Sequence, residues 1–253
     1  MSQSATPLRQ RISEEEWALR VNLAACYRLV ALHGWDDLIF THISARLPGS
    51  HDAFLVNPYG HMFEEITASS LVKVGLDGQV IEGDATVNPA GFTIHSAIHA
   101  ARPDVECVIH LHTCAGVAVS AQEAGLLPIS QFSLFPLASL AYHDYEGVAL
   151  NEDEKPRLVA DLGDHTVMIL RNHGTLAVGA SIADAFLAIY VLERACETQV
   201  AAQAGGGVLR QVPEPIVRGI RAQARQVTAG LGGKLAWPAL LRRLNRLDPS
   251  YQH

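Results

Sequence analysis

The feature that most constrains the fold of this chain is a change of hydrophobic period part-way along it. Residues 39–47 alternate between apolar and polar, 53–56 form a short apolar run, and Asn57-Pro58-Tyr59-Gly60 is turn chemistry, so two neighbouring strands are expected. Residues 71–81 carry an Asp77-Gly78 pair between apolar flanks, which signals a hairpin. From Pro89 the period becomes helical through Phe92, Ile94, Ile98 and Ala101, and this helix must stop before Pro103. Beyond it the pattern predicts a strand over 107–113, a helix over 115–124, a buried strand over 166–170, and a long helix opened by Ser181 and closed at Gly205-Gly206-Gly207. Hairpins early and helix crossovers later predict an α/β chain of three layers, α/β/α, with a central mixed and largely antiparallel sheet.

The ends are simpler. Residues 1–12 read as a flexible arm, and Ser13 with Glu16 makes a capping box for a helix that ends at Gly34. The main domain is expected over 13–210, with a helical extension over 211–253 packed on it and broken at residues 230–233. With 49% hydrophobic and 18% charged residues in 253, the chain has ample material for a core. Its formal charge of −7, without a basic run, argues against nucleic acid as a partner. No stretch approaches the roughly 18 apolar residues of a membrane span, and no signal-peptide pattern opens the chain, so a cytoplasmic location is expected. Cys26, Cys107, Cys114 and Cys196 show no C-x-x-C spacing and read as buried reduced thiols.

The chemistry concentrates in Val108-Ile109-His110-Leu111-His112-Thr113. In a strand His110 and His112 project from one face, about 7 Å apart at Cα, while Ile109 and Leu111 take the other and pack inward. A second histidine-bearing segment, Arg171-Asn172-His173-Gly174, follows the apolar run 167–170, and Gly174 permits a sharp exit from the sheet. Three neutral imidazoles from two strand ends suit a divalent first-row metal with open positions. Ordinary hydrogen-bonded histidines at strand ends produce the same pattern, and spacing leaves both readings open.

Taken together, Asn88-Pro89-Ala90-Gly91-Phe92, the run from His95 to Asp104, His110-Leu111-His112-Thr113, Ala141-Tyr142-His143-Asp144-Tyr145 and Arg171-Asn172-His173-Gly174 resemble the class II aldolase and adducin superfamily over about residues 15–205. The first, second and fourth of these look closer to the adducin head domain than to the sugar-phosphate aldolases. The resemblance implies the three-layer fold, a homotetramer with sites near subunit interfaces, and a divalent metal held by His110, His112 and His173, with zinc first and iron or manganese as alternatives.

The same resemblance exposes departures. The position of the aldolases' metal-ligating, proton-abstracting glutamate is Gly91, and their phosphate-contacting serine pair is Pro89-Ala90. The two remaining phosphate elements read Thr41-His42 and Tyr59-Gly60, and a proton-donating tyrosine falls near Phe132. Losing a carboxylate base forfeits a factor of roughly 100 to 10,000, so sugar-phosphate cleavage is not expected. His143 and Tyr145 are the candidate acid or base, and Arg171, His42, Tyr59, Gly60 and Gly91 the candidate substrate contacts. His95 and His99, four apart on one helix face, are expected in the core or behind the metal, and Glu64-Glu65 as a capping or solvated pair. The reading is a metal-dependent lyase, by aldol cleavage or decarboxylation, on a small anionic carboxylate or carbonyl compound. A non-haem iron oxygenase and a non-catalytic adducin-head-like oligomeric module are the competing readings.

Overall fold

The computed structural model describes residues 7–50, 52–83, 86–148, 151–227 and 230–253. Helix α1 (Glu14–Leu32) leads into β1 (His42–Arg46), β2 (Ala53–Val56), β3 (Val72–Gly75) and β4 (Val80–Glu82). There follow α2 (Pro89–Ala101), β5 (Cys107–Leu111), α3 (Cys114–Ser120), α4 (Gln131–Leu137), β6 (Leu140–His143), α5 (Lys155–Leu162), β7 (Val167–Leu170) and β8 (Gly174–Gly179). The long α6 (Ile182–Ala204), then α7 (Glu214–Val227) and α8 (Trp237–Leu247), complete the chain. The strands form one sheet in the order β4-β3-β2-β1-β5-β8-β7-β6, antiparallel throughout except for the β6–β7 pair. This is the mixed, largely antiparallel sheet expected.

Alternation along the strands builds two cores. Ile43, Ala45, Ile109, Leu111 and Ala177 face Leu23, Tyr27 and Leu29 of α1 and Ile189 and Leu192 of α6. Val108, Leu170, Leu176 and Val178 face Ile94 and Ile98 of α2 and Leu158 and Leu162 of α5 on the other side. Helices therefore cover both faces of the sheet, giving the three layers. The fully buried Arg20 anchors the outer hairpin: its guanidinium donates to Leu71 O at 2.9 Å and meets Glu16 and Glu82 at 3.0 and 3.1 Å.

Several boundaries differ from expectation. The strand 39–47 is only β1, the strand 107–113 stops at Leu111, and the helix 115–124 is α3. Thr113 explains the last two, because its hydroxyl caps α3 by accepting the Gly116 N–H at 2.9 Å and so takes the chain out of the sheet. Ser13 caps α1 through the Glu16 N–H, while the Glu16 carboxylate turns to Arg20 and Lys73. Of the expected arm, residues 1–6 lie outside the described residues; the rest holds a turn over Leu8–Gln10, with Arg9 5.0 Å above the Trp17 ring and 2.6 Å from Glu14. Cys114 is exposed, unlike the other three cysteines, because it opens α3 just beyond the end of the central strand β5. Glu65 caps a turn as expected, accepting from Met62 N at 2.7 Å. The end of the chain is stitched to the body by Trp237 Nε1 on Asn22 (2.7 Å), and by Ala68 N and Ser69 N donating to Tyr251 O and His253 O, each at 2.9 Å. Among the described residues no helix is long and apolar enough to cross a membrane.

Under α2 lies a buried polar seam. Ser44 Oγ lies 2.6 Å from His95 Nδ1 and 2.7 Å from His99 Nε2, and the His99 ring stacks on Phe54 at 5.0 Å. Burial holds both imidazoles neutral and pushes each pKa down to about 3. Their folded pKa lies below the unfolded value of about 6.5, so the unfolded state binds more protons between pH 6.5 and 3. Stability should therefore be complete at pH 7 and fall as pH drops below about 6.5. Urea midpoints at pH 7.0 and 4.5 will measure this drop, and the double variant His95→Leu with His99→Phe should show a flatter dependence.

Candidate metal centre

The register of three strands assembles the site. In β1 and β5 His42 lies opposite His110, and in β5 and β8 Leu111 lies opposite Thr175. His112 follows the end of β5, and His173 precedes β8 in a tight turn from β7. Asn172 takes the left-handed conformation there, at φ 56°, which asparagine tolerates better than most residues. Gly174 does not supply the reversal expected of it. Its role is close approach, since a Cβ at 174 would lie 2.4 Å from Leu111 O and 3.1 Å from the His112 ring.

One ring nitrogen from each of His110, His112 and His173 lies within 4.8 Å of the other two. His112 Nε2 is 2.9 Å from Nε2 of both His110 and His173. Partners on the far side of the rings settle which nitrogen holds the proton. His110 Nδ1 is 3.0 Å from Thr175 O and His112 Nδ1 is 3.0 Å from Asp37 Oδ2, and both partners only accept. Each Nδ1 is therefore the N–H, and the two Nε2 lone pairs point at each other. Two nitrogens about 2.0 Å from one tetrahedral ion would be about 3.3 Å apart, so a cation between them resolves the repulsion with little movement. Burial first, then the neighbouring imidazoles, lowers the pKa of His110 well below its ordinary value and that of His173 to about 4. Neutral rings are what metal ligation requires, and the residues fit a divalent ion.

Behind the ligands sit residues that spacing did not flag. The wholly buried Glu193 of α6 accepts from the Thr175 hydroxyl at 2.5 Å and from Thr113, joining the two ligand-bearing segments. Burial raises its pKa to about 7. Asp37, in an irregular loop far from any motif, fixes the His112 ring. A heptad-like reading of α6 could have shown Glu193 on an otherwise apolar face; nothing local marks Asp37.

A cavity of about 390 Å³ opens over the imidazoles, lined by Phe40, His42, Tyr59, Asn88 and Tyr145 among others. Among its described lining residues there is no Lys, Arg, Asp, Glu, Ser or Thr. A larger apolar groove, about 540 Å³, runs between α4, α6 and residues 230–233, but it lacks convergent polar groups. Of the candidates named from sequence, His42, Tyr59 and Tyr145 reach the cavity, and the Tyr145 ring lies 6.2 Å from that of His173. Gly60 shapes the neighbouring turn at φ 94°, and Gly91 lies against the His42 ring. His143 and Arg171 do not join them. His143 Nδ1 meets Asp161 at 2.7 Å and its Nε2 lies 3.4 Å from Glu154, which ties the ring to α5 and the turn before it. Arg171 donates to Gln122 O at 2.8 Å and stacks 4.1 Å above the Tyr142 ring. Phe132 sits apart, beneath Arg194.

A profile of the "Class II Aldolase and Adducin N-terminal domain" matches residues 21–200. This chain belongs to that family. It is 60% identical over 246 residues to a Pseudomonas aeruginosa protein provisionally named an aldolase class 2 protein, covering 96% of this chain and 95% of that one. It is 44% identical over 247 residues to rat alpha-adducin, covering 92% of this chain but 34% of the adducin. A solved Pseudomonas syringae protein of the aldolase II superfamily superposes with a TM-score of 0.92 at 49% identity, covering 98% of this chain and all of that one. An L-fuculose 1-phosphate aldolase from Glaciozyma antarctica superposes at 0.82 with 29% identity, covering this chain fully and 97% of its own. Family and fold thus agree with the resemblance seen in the motifs.

Replacing Asp37 by Ala should free the His112 ring and lower metal affinity by about 10- to 100-fold while the fold persists. Competition with a chromogenic chelator, beside a circular dichroism spectrum, measures both.

Proposed function

We propose that this chain is a divalent-metal-dependent lyase acting on a small, non-phosphorylated carboxylate or carbonyl compound by aldol cleavage or decarboxylation. The observation that carries the reading is the pair of facing Nε2 lone pairs on His110 and His112, joined by His173. His110, His112 and His173 would hold the ion, with zinc the first choice and iron or manganese the alternatives. When bound, the ion supplies Lewis acidity that stabilises negative charge on a substrate oxygen. Three neutral ligands leave its +2 charge unbalanced, which favours an anionic substrate.

The chain's own groups perform the rest. Tyr145 and Tyr59 offer phenolic hydroxyls at the cavity wall, suited to holding or passing a proton at a substrate oxygen. Phe40, Ile94 and Val148 supply apolar wall, which restricts water near the reacting carbon. The described lining residues offer no cation and no Ser or Thr hydroxyl for a phosphate, which supports a non-phosphorylated substrate. His143, held between two carboxylates, is better suited to bracing α5 than to the acid–base work expected of it. A homotetramer is part of the proposal, supported by the family's assembly as the resemblance implies it.

Native protein should carry about one divalent metal per chain, and His110→Ala with His112→Ala should carry almost none. Elemental analysis decides this, and equal content in both would overturn the site. Turnover should be seen with 2-oxo or 2-hydroxy acids and be at least 100-fold weaker with fuculose 1-phosphate, assayed with zinc, manganese and iron under air and nitrogen. Oxygen consumption with Fe(II) would point to the oxygenase. Absence of turnover on the whole panel would favour an adducin-like binding module, a reading that the 44% identity to alpha-adducin supports. Light scattering at several concentrations should give four chains per particle; a monomer at micromolar concentration would refute the tetramer.

A further inference from the structure

Residue 91 leaves a space beside α2, and a ring from another strand fills it. A Cβ built on Gly91 would lie 1.5 Å from His42 Cδ2 and 1.9 Å from His42 Nε2. No real side chain tolerates such distances, so residue 91 can only be glycine while His42 stands where it does. Gly91 is the third residue of α2, and the imidazole occupies the space that a side chain there would take. The φ of Gly91 is not positive, so backbone conformation supplies no competing reason for it.

His42 itself is unusually placed. It comes from β1, lies opposite His110 in the register, and its ring centroid is 5.4 Å from that of His110. It lines the same cavity as the three metal-facing imidazoles. Only 3% of the residue is exposed, yet neither ring nitrogen has a hydrogen-bond partner among the described residues. The nearest ring on its other side, His95, is 4.8 Å away at the centroid and gives its Nδ1 to Ser44. A buried imidazole with a free donor and a free acceptor is costly unless something in the cavity completes it.

We propose that His42 is the group that hydrogen-bonds the substrate's carboxylate at the metal, and that Gly91 is the berth that admits it. The inference rests on the metal reading above and names the substrate class more narrowly. A carboxylate side chain at residue 91 would repel an anion and could only accept. A neutral imidazole can turn one N–H to a carboxylate oxygen, while its second nitrogen points away across the ring and cannot reach the same small molecule. The arrangement therefore selects small acids bound through the carboxylate.

The test uses the full chain loaded with Co(II), titrated with oxalate and followed by the visible cobalt spectrum, with metal content measured throughout. His42→Phe keeps a planar aromatic ring, somewhat larger than imidazole, and removes its nitrogens, so it should keep one cobalt per chain and weaken oxalate binding at least tenfold. Gly91→Ala should weaken oxalate binding similarly by displacing the ring, and should add nothing further in a His42→Ala background. Melting of the metal-free proteins reads the berth separately: Gly91→Ala should lower Tm when His42 is present and leave it unchanged or raised when residue 42 is alanine. Full cobalt content with oxalate affinity within twofold of wild type in His42→Phe would overturn this inference alone, as would an equal melting penalty in both backgrounds or a wild-type protein that takes cobalt but no oxalate. A wild-type protein that takes up no cobalt would overturn the metal reading and this one with it.

Discussion

Everything at the site depends on how closely β8 lies against β5. The Thr175 carbonyl that holds His110 Nδ1, the Leu111 carbonyl that crowds residue 174, and the turn that delivers His173 all follow from one register. A slip of one residue would turn every side chain of the strand to the opposite face, sending His110 into the apolar core and Ile109 into the cavity. The register is held from both sides, by Ile109 and Leu111 against α1 and α6 and by Val108 against α2 and α5. The hydrophobic packing of the sheet is thus also what fixes the direction of its imidazoles.

The parts of this arrangement that were legible in the sequence are those carried by local periodicity. His110 and His112 alternate with Ile109 and Leu111, and that alternation alone separates the chemical face from the structural one. The helix from Pro89 and the caps at Ser13 and Ser181 are also local, and they stand where the pattern puts them. What sequence could not supply is contact between distant segments. His143 and Arg171 are the right residue types beside the right strands, but Asp161 and Glu154 claim the first and Gln122 and Tyr142 the second. Asp37 and Glu193 support the ligands from loops and helices with no motif of their own. The histidine at 42 was visible as a candidate, but its dependence on Gly91 exists only once β1 and α2 are packed together.

The cavity's described lining is neutral in a specific way. Burial and the neighbouring imidazoles keep His42, His110 and His173 uncharged, and Asp37, which holds the His112 ring, lies on its far side. Fixed charge inside the pocket would have to arrive with the ion and its ligand. Affinity for an anion is then set chiefly by the ion and by hydrogen bonds, with little long-range steering from the wall.

The stretch Arg171-Asn172-His173-Gly174 illustrates what a short motif can and cannot transmit. Arg171 props a neighbouring loop through Gln122, Asn172 supplies a left-handed turn, and Gly174 makes room for the carbonyl of Leu111. Three of the four letters are therefore answers to a backbone problem, and only His173 answers a chemical one. A descendant of this chain could exchange that single residue, abandon the ion, and still be under pressure to keep the other three. Within such a lineage the motif would outlive the reaction, and the histidine, read separately from its neighbours, is the letter that tells a working enzyme from an inherited scaffold.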